Sequence, residues 1–374
     1  MTRGRFAPSP TGRMHLGNVF CALLSWLSAK SKGGEWVLRI EDLDPQRSRR
    51  EYALQLMDDL QWLGLPWDGE PVWQSQRGHI YEEYLHRLQE MGFTYPCYCT
   101  RADIMATQAP HETDGRVVYK GTCRPKTEAD YNFYRSSNLS TDAARSVPTA
   151  TSFNVNPSPL TALSSLPETG GVPQRGDGVD NSFNVQRSTF NVTPATTRLI
   201  VPDCIIPFTD GHYGQHDINL AEHCGDYIIR RKDGAWAYQL AVVVDDTLTG
   251  VTEIVRGRDL LLSSPQQIHL RELLFGERKT ENGFAHPSTV NLQRSTLTFL
   301  HHPLLCNAEG QRLCKRDKSI DLGYLRDKGT IPQEIIGLLA HYAGLIEQPY
   351  STSPEELLTL FSWNKEPTED IITL

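Results

Sequence analysis

Long apolar runs are missing from these 374 residues: no stretch can cross a bilayer as a helix, and the first residues lack the charged-then-apolar form of an export signal. The chain therefore reads as a cytoplasmic protein with no membrane partner. Positive charge is in deficit as well, with 37 Lys and Arg against 45 Asp and Glu. That balance argues against a general nucleic-acid coat, while leaving room for local basic surfaces that touch an RNA backbone. The runs Arg47-Ser48-Arg49-Arg50, Arg230-Arg231-Lys232 and Lys315-Arg316-Asp317-Lys318 are the candidates, although such short runs are more often simply solvated. Eight cysteines in a chain this large without an export signal do not suggest a disulfide framework. Three of them need another explanation.

What is present is enough apolar residue, 39%, to fill two or three packed modules. From Gly4 to about Trp67, short apolar strands at 5–7 and 36–40 alternate with amphipathic helices at 19–29 and 52–63. This is a βαβα run of the doubly wound α/β kind. Helical spacing continues over 78–91, after which Tyr95-Pro96-Cys97-Tyr98-Cys99 breaks the pattern and opens another module. The stretch from about 130 to 197 is rich in Ser, Thr, Asn and Pro and carries a near-repeat: Ser152-Phe153-Asn154-Val155, Ser182-Phe183-Asn184-Val185 and Thr189-Phe190-Asn191-Val192. Such composition buries too little apolar surface to offset ordering entropy, so a largely disordered insertion without a catalytic role is expected. Regular structure returns at 226–230. Residues 239–246 form a buried strand or helix ending in two acids, 252–257 another strand, and 265–275 a helix. After Leu297 the chain reads as mostly helical, with helices near 332–343 and 354–361. The expected division is a first catalytic half at 1–92, an inserted module at 93–225, a second catalytic half at 226–275, and a mobile loop with a helical region at 276–374.

Three segments carry chemistry. Arg5-Phe6-Ala7-Pro8-Ser9-Pro10-Thr11-Gly12-Arg13-Met14-His15-Leu16-Gly17-Asn18 has the form of a strand, a turn-rich loop and a helix start, which aims backbone N–H groups and the positive helix end at an anion. His15 and Asn18 would be neutral donors there, and Gly17 has no side chain to block a base or ribose. The plainer reading is a strand-to-helix loop with a capping Asn. Arg39-Ile40-Glu41-Asp42-Leu43-Asp44-Pro45 ends a strand in three carboxylates, at the edge where side chains of a parallel sheet face the ligand crevice. An acid there can hold an ammonium group or a metal ion, or merely cap the next helix. Arg312-Leu313-Cys314-Lys315-Arg316 follows a Gly-containing turn, and a mobile lysine can neutralise charge on a transferring phosphate.

Taken in order with Val255-Arg256-Gly257-Arg258-Asp259, these segments resemble the catalytic core of the class I glutamyl-tRNA synthetases. The first and last are similar to that family's H-I-G-H and K-M-S-K-S elements. Gln74-Ser75-Gln76-Arg77, Val242-Val243-Val244-Asp245-Asp246 and Gly250-Val251-Thr252-Glu253-Ile254-Val255-Arg256-Gly257 look like its shortened branch, which lacks an anticodon-binding domain and attaches glutamate to the queuosine base of tRNA(Asp). The few residues after Lys315 fit the same branch. The resemblance implies a Rossmann-like doubly wound parallel sheet, split by a zinc-containing insertion and followed by a small helical C-terminal region. It further implies a ligase acting on ATP, L-glutamate and queuosine-bearing tRNA(Asp), with the chain as a monomer.

Residue by residue, the resemblance places His15, Asn18 and Lys315 in catalysis, and the same three with Gly17 around ATP and its Mg²⁺. Arg5, Ala7, Ser9, Glu41, Tyr238 and Arg256 would line the glutamate pocket, with arginines on a carboxylate and Glu41 on the ammonium. Cys97, Cys99, Tyr119 and Cys123 would hold one zinc ion per chain, and four protein ligands make such a site structural. On spacing alone His212, His216, His223 and Cys224 form a rival metal group. The chain departs from the family pattern at Asn18, at Arg312 and at Cys314, a change that could make the loop redox-sensitive. Other readings are a short glutamyl-tRNA synthetase charging tRNA(Glu), an inactive RNA-binding paralogue, and a small-molecule nucleotidyltransferase.

Overall fold

The computed structural model describes residues 1–106, 118–127, 130, 194–276, 297–307 and 321–373. Most of the Ser/Thr/Asn/Pro-rich stretch, and the loop with Arg312, Cys314 and Lys315, lie outside the described residues. The first part runs β1 (Arg3–Phe6), α1 (Leu16–Lys30), β2 (Glu35–Ile40), α2 (Arg50–Trp62), β3 (Val72–Trp73) and α3 (Gly78–Glu90). Next come β4 (Thr94–Cys97), α4 (Arg101–Ala106), β5 (Thr196–Leu199), β6 (Ile205–Asp210), β7 (Gly214–Asn219), α5 (Leu220–His223) and β8 (Ile228–Arg230). The remainder is α6 (Tyr238–Leu248), β9 (Glu253–Gly257), α7 (Ser263–Phe275), β10 (Thr298–His302), β11 (Leu304–Cys306), α8 (Leu322–Asp327), α9 (Pro332–Tyr342), α10 (Pro354–Leu357) and β12 (Ile371–Thr373). No helix among them is long and apolar enough to cross a membrane.

The main sheet has seven strands in the order β3-β2-β1-β9-β10-β6-β7, parallel throughout except for the edge hairpin β6–β7. The order of strand addition reverses at β1, with β2 on one side and β9, some 250 positions later, on the other. In such a sheet this is where a crevice opens at the carboxyl ends of the strands. Alternate residues serve opposite faces: Val255 and Leu300 enter one core, Ile254 and Phe299 the other. The first core is capped by α1, whose Val19, Phe20, Leu23, Leu24 and Leu27 are completely buried. Each such side chain contributes roughly 1.5–3 kcal/mol. Gly4 permits the close seating of α1 on β1, because a Cβ there would stand 3.1 Å from that of Ala29. A smaller antiparallel sheet, β4-β5-β8, stands apart from the main one.

One open sequence alternative is resolved and two expectations change. Residues 239–246 are helical, part of α6; the run Leu240 to Asp246 is buried on every side, as a helix sandwiched in a core must be. The stretch after Leu297 begins with strands rather than helix: Phe299 and Leu300 alternate between the two cores, and β10 completes the sheet between β9 and β6. The helix expected over 354–361 stops at Leu357, after which the chain turns so that the Trp363 indole reaches Ser28 Oγ on α1 at 3.0 Å.

A buried ion cluster joins the parts. Asp245, fully buried on α6, accepts hydrogen bonds from Gln74 Nε2 (2.9 Å), Arg77 Nε (2.6 Å) and the Tyr81 hydroxyl (2.8 Å). Asp246 accepts from Arg39 Nη1 and stands 3.5 Å from Arg5 Nε, while Arg39 Nη2 reaches Glu41 at 3.1 Å. Three arginines thus face three carboxylates, and removing one partner leaves an uncompensated charge in the interior. Asp245→Ala should lower the unfolding free energy by about 3–5 kcal/mol, read from the urea midpoint. Tyr81→Phe should cost only about 1 kcal/mol.

Candidate active site and metal centre

The crevice is a cavity of about 430 Å³ at the carboxyl ends of β1, β2 and β9. Arg5, Ala7, Ser9, Glu41, Tyr238 and Arg256 line it together, and His15, Gly17 and Asn18 form its other wall. Of the residues expected in the two pockets, Lys315 lies outside the described residues. The flanks of its segment are at the cleft: Leu304 and Leu305 of β11 line the cavity, Asp321 bridges to His15, and Leu322 N–H donates to Met14 O at 3.0 Å.

At the start of α1 the capping and the phosphate-binding readings coincide. His15 is the N-cap residue, its Nδ1 accepting from Gly17 N–H at 3.1 Å, and Asn18 Oδ1 accepts from His15 N–H at 3.2 Å. With Nδ1 an acceptor, the neutral ring carries its proton on Nε2, and Asn18 keeps its amide N–H groups as donors. The cap therefore orients two neutral donors beside the positive end of a 15-residue helix.

Charge on the opposite wall is unevenly matched. Burial holds the Glu41 carboxyl above the usual carboxylate range, with Arg39 pulling the other way. Asp246 is held below its usual value because Arg39 and Arg5 outweigh the burial that would raise it. Arg256, 4% exposed, donates from Nε to His301 Nε2 (2.9 Å), from Nη1 to Gln267 Oε1 (2.7 Å) and from Nη2 to Ser264 Oγ (2.7 Å). All three acceptors are neutral, and Arg256 forms no ion pair among the described residues. Burial pulls its pKa below the usual arginine value, with Tyr238 and Asp246 opposing and Arg5 reinforcing the shift. A desolvated cation with no ion-pair partner in contact, offset only in part by Tyr238 and the more distant Asp246 and open to a cavity, is a site for an anion.

Several of these residues escaped the sequence reading. Arg39, Asp246, Ser264, Gln267, His301 and Asp210 shape the cleft from behind. A signal existed for two of them, since Asp210 and His301 lie at the carboxyl ends of β6 and β10. Reading the stretch after Leu297 as helix hid it.

In the smaller module Cys97, Cys99 and Cys123 bring their Sγ atoms within 4.8 Å of one another. Cys99 and Cys123 are 3.4 Å apart, and the Tyr119 hydroxyl lies 3.4 Å from Cys97 Sγ and 3.7 Å from Cys99 Sγ. Sulfur atoms sharing a tetrahedral zinc would be separated by about 3.8 Å, so the donor set fits a metal ion. Burial pushes the Cys99 thiol up to about 11, so loading a metal must displace its proton. Gly225 fixes Tyr119: it adopts φ +60° and bridges to it, and a Cβ there would fall 2.4 Å from the Tyr119 carbonyl oxygen. The rival His212, His216, His223 and Cys224 group does not converge among the described residues: His212 Nε2 contacts Pro367 O, and His216 stacks on Phe208.

With fold and cleft described, the comparisons with known proteins fall into place. The sequence profile of the class I tRNA synthetases (E and Q), catalytic domain, matches residues 1–138 and 179–349, and the chain belongs to that family. Within it, similar relatives include glutamyl-Q tRNA(Asp) synthetases. That of Nitratidesulfovibrio vulgaris is 36% identical over 382 residues, covering 100% of this chain and 96% of the relative. That of Symbiobacterium thermophilum is 37% identical, covering 99% and 95%. Among solved structures, the glutamate-tRNA synthetase of Elizabethkingia anophelis shares the fold, with a TM-score of 0.68 and 23% identity over 100% of this chain and 68% of its own.

Gly225→Ala is expected to displace the Tyr119 backbone and loosen the donor set. Release of bound metal to a chromogenic chelator should be faster than from the wild type, and unchanged release would show that Tyr119 is placed by other contacts.

Proposed function

We propose that this chain activates L-glutamate with ATP and transfers it to the queuosine base of tRNA(Asp). The observation that carries the reading is the cleft itself, which sets an acid, Glu41, and an unbalanced cation, Arg256, opposite a helix N-terminus with two neutral donors. An α-amino acid with a second carboxylate supplies the complementary charges: its ammonium meets Glu41, and Arg5 and Arg256 offer forked donors to its carboxylates. The choice of tRNA(Asp) rests on the names of the relatives that match along almost the whole chain.

In the first step the glutamate α-carboxylate attacks the α-phosphorus of ATP and pyrophosphate leaves in line. Developing charge would be met by His15 Nε2–H, the Asn18 amide and Lys315, with Mg²⁺ travelling on the phosphates. In the second step a hydroxyl of the modified base attacks the adenylate carbonyl and AMP leaves. Zinc, held by Cys97, Cys99, Cys123 and Tyr119, would stiffen the inserted module, which faces the RNA in this reading; with four protein ligands it has no open position and takes no part in the reaction. The chain would work as a cytoplasmic monomer.

Radiolabelled glutamate with ATP should be transferred to queuosine-containing tRNA(Asp) and not to the same tRNA lacking queuosine. Label appearing on tRNA(Glu) instead would establish a short glutamyl-tRNA synthetase. Absence of both, and of ATP–pyrophosphate exchange, would leave a non-catalytic RNA-binding protein. A pH dependence follows from Glu41. Its raised pKa means that below that pKa the ammonium must displace a proton, so glutamate affinity is full above it and falls as pH drops through it. KM for glutamate in pyrophosphate exchange should rise as pH falls through that raised pKa, with KM for ATP changing less, and Glu41→Gln should weaken binding while flattening the profile.

A further inference from the structure

Behind the cleft lies a chain of side chains that touches no ligand. Asp210 sits at the end of β6, 1% exposed, and its Oδ1 accepts backbone N–H bonds from His212 (3.0 Å), Tyr213 (2.9 Å) and His301 (3.3 Å). Its Oδ2 lies 2.6 Å from Nδ1 of the fully buried His301, whose Nε2 lies 2.9 Å from Arg256 Nε. The carboxylate accepts a hydrogen bond from Nδ1–H, so the neutral ring keeps its proton on Nδ1 and Nε2 is a lone-pair acceptor, the only state in which it can receive the Arg256 N–H. Burial keeps the ring neutral, with its pKa drawn down to about 4 against the opposing pull of Asp210.

We propose that Asp210 and His301 form a positioning relay that holds the Arg256 guanidinium in place with a neutral acceptor, leaving its charge for the substrate carboxylate and so setting affinity for the acidic amino acid. This rests on the proposed glutamate pocket. A carboxylate in place of the imidazole would hold Arg256 as firmly and cancel the charge that the ligand must meet; the imidazole gives direction without neutralisation. Nε and Nη2 are held by His301 and Ser264, and Nη1 by Gln267, so the guanidinium plane is fixed before the ligand arrives, and little ordering entropy is lost on binding. Ser264 Oγ also lies 3.4 Å from His301 Nε2, in the manner of a hydrolase triad. That chemistry is excluded by geometry, since Ser264 is fully buried and both it and Nε2 are taken by Arg256.

Two substitutions of His301 separate the relay from packing. His301→Asn keeps an amide donor near the Nδ1 position for Asp210 but ends short of Arg256. His301→Gln can place its amide oxygen where Nε2 stands. Isothermal titration of the full chain with L-glutamate, and separately with ATP, reads the result. The Asn variant should bind glutamate about 10- to 100-fold more weakly with ATP affinity within about twofold, and the Gln variant should recover most of the loss. Glutamate affinity unchanged in the Asn variant, equal loss of both ligands, or a Gln variant no better than Asn would each overturn the relay, as would failure of both to fold. If only Asn fails to fold, the Gln variant decides, near-wild-type glutamate affinity supporting the relay and weak binding overturning it. A wild-type chain that binds no glutamate would instead sink the pocket assignment.

Discussion

Two neighbouring aspartates at the end of one buried helix hold the catalytic domain together. Asp245 gathers Gln74, Arg77 and Tyr81 from the segment around α3, and Asp246 gathers Arg39 from β2 and Arg5 from β1. The first strands and α6 are separated in sequence by the whole inserted module, so chain connectivity cannot register them. Buried ion pairs add little net stability over apolar packing, but they tolerate few alternatives, because any shift that parts one pair strands a charge in a medium of low dielectric. That intolerance makes the cluster a locating device for the cleft that stands on it.

The cleft exploits what the cluster leaves over. Arg5, Arg39 and Arg77 are balanced by Glu41, Asp245 and Asp246, whereas Arg256 is surrounded by an imidazole, an amide and a hydroxyl. Positive potential is thereby concentrated at one guanidinium facing the cavity, while Glu41, its pKa raised by burial against the pull of Arg39, stands on the other side. Across from both stands the capped start of α1, with neutral donors whose orientation is fixed by the cap itself. In the proposed reading, recognition of a charged amino acid and stabilisation of a phosphate would both be built from one sheet edge, with different strands supplying different signs of charge.

Much of this was legible in the chain, for reasons that can be named. Alternation in residues 5–63 predicted β1, α1, β2 and α2 because each element buries one face at its own period, and tight loops follow from Gly and Pro. Residues at the carboxyl ends of β1, β2 and β9 were found because their words stand on local elements. Cys97, Cys99, Tyr119 and Cys123 were indicated as a common site by the family resemblance, spacing offering only Cys97-x-Cys99 with a distant Cys, while the His212 group was not brought together by the fold. Asp210 and His301 were missed because neither is unusual within its own segment. Their meaning arises only when β6 and β10 are parallel neighbours, and the short strand Thr298–His302 has too few residues to declare its period.

The sequence by itself determined the doubly wound class, the family and the side chains that line the cleft, because these depend on local periodicity and on words whose residues are close along the chain. The tertiary structure alone decided which charges are cancelled and which are left for a ligand. That balance is set by distances of about 3 to 4 Å between residues up to 241 positions apart, as for Arg5 and Asp246, and Coulomb energy in a dry interior responds to those distances and to burial, neither of which is written in any single segment.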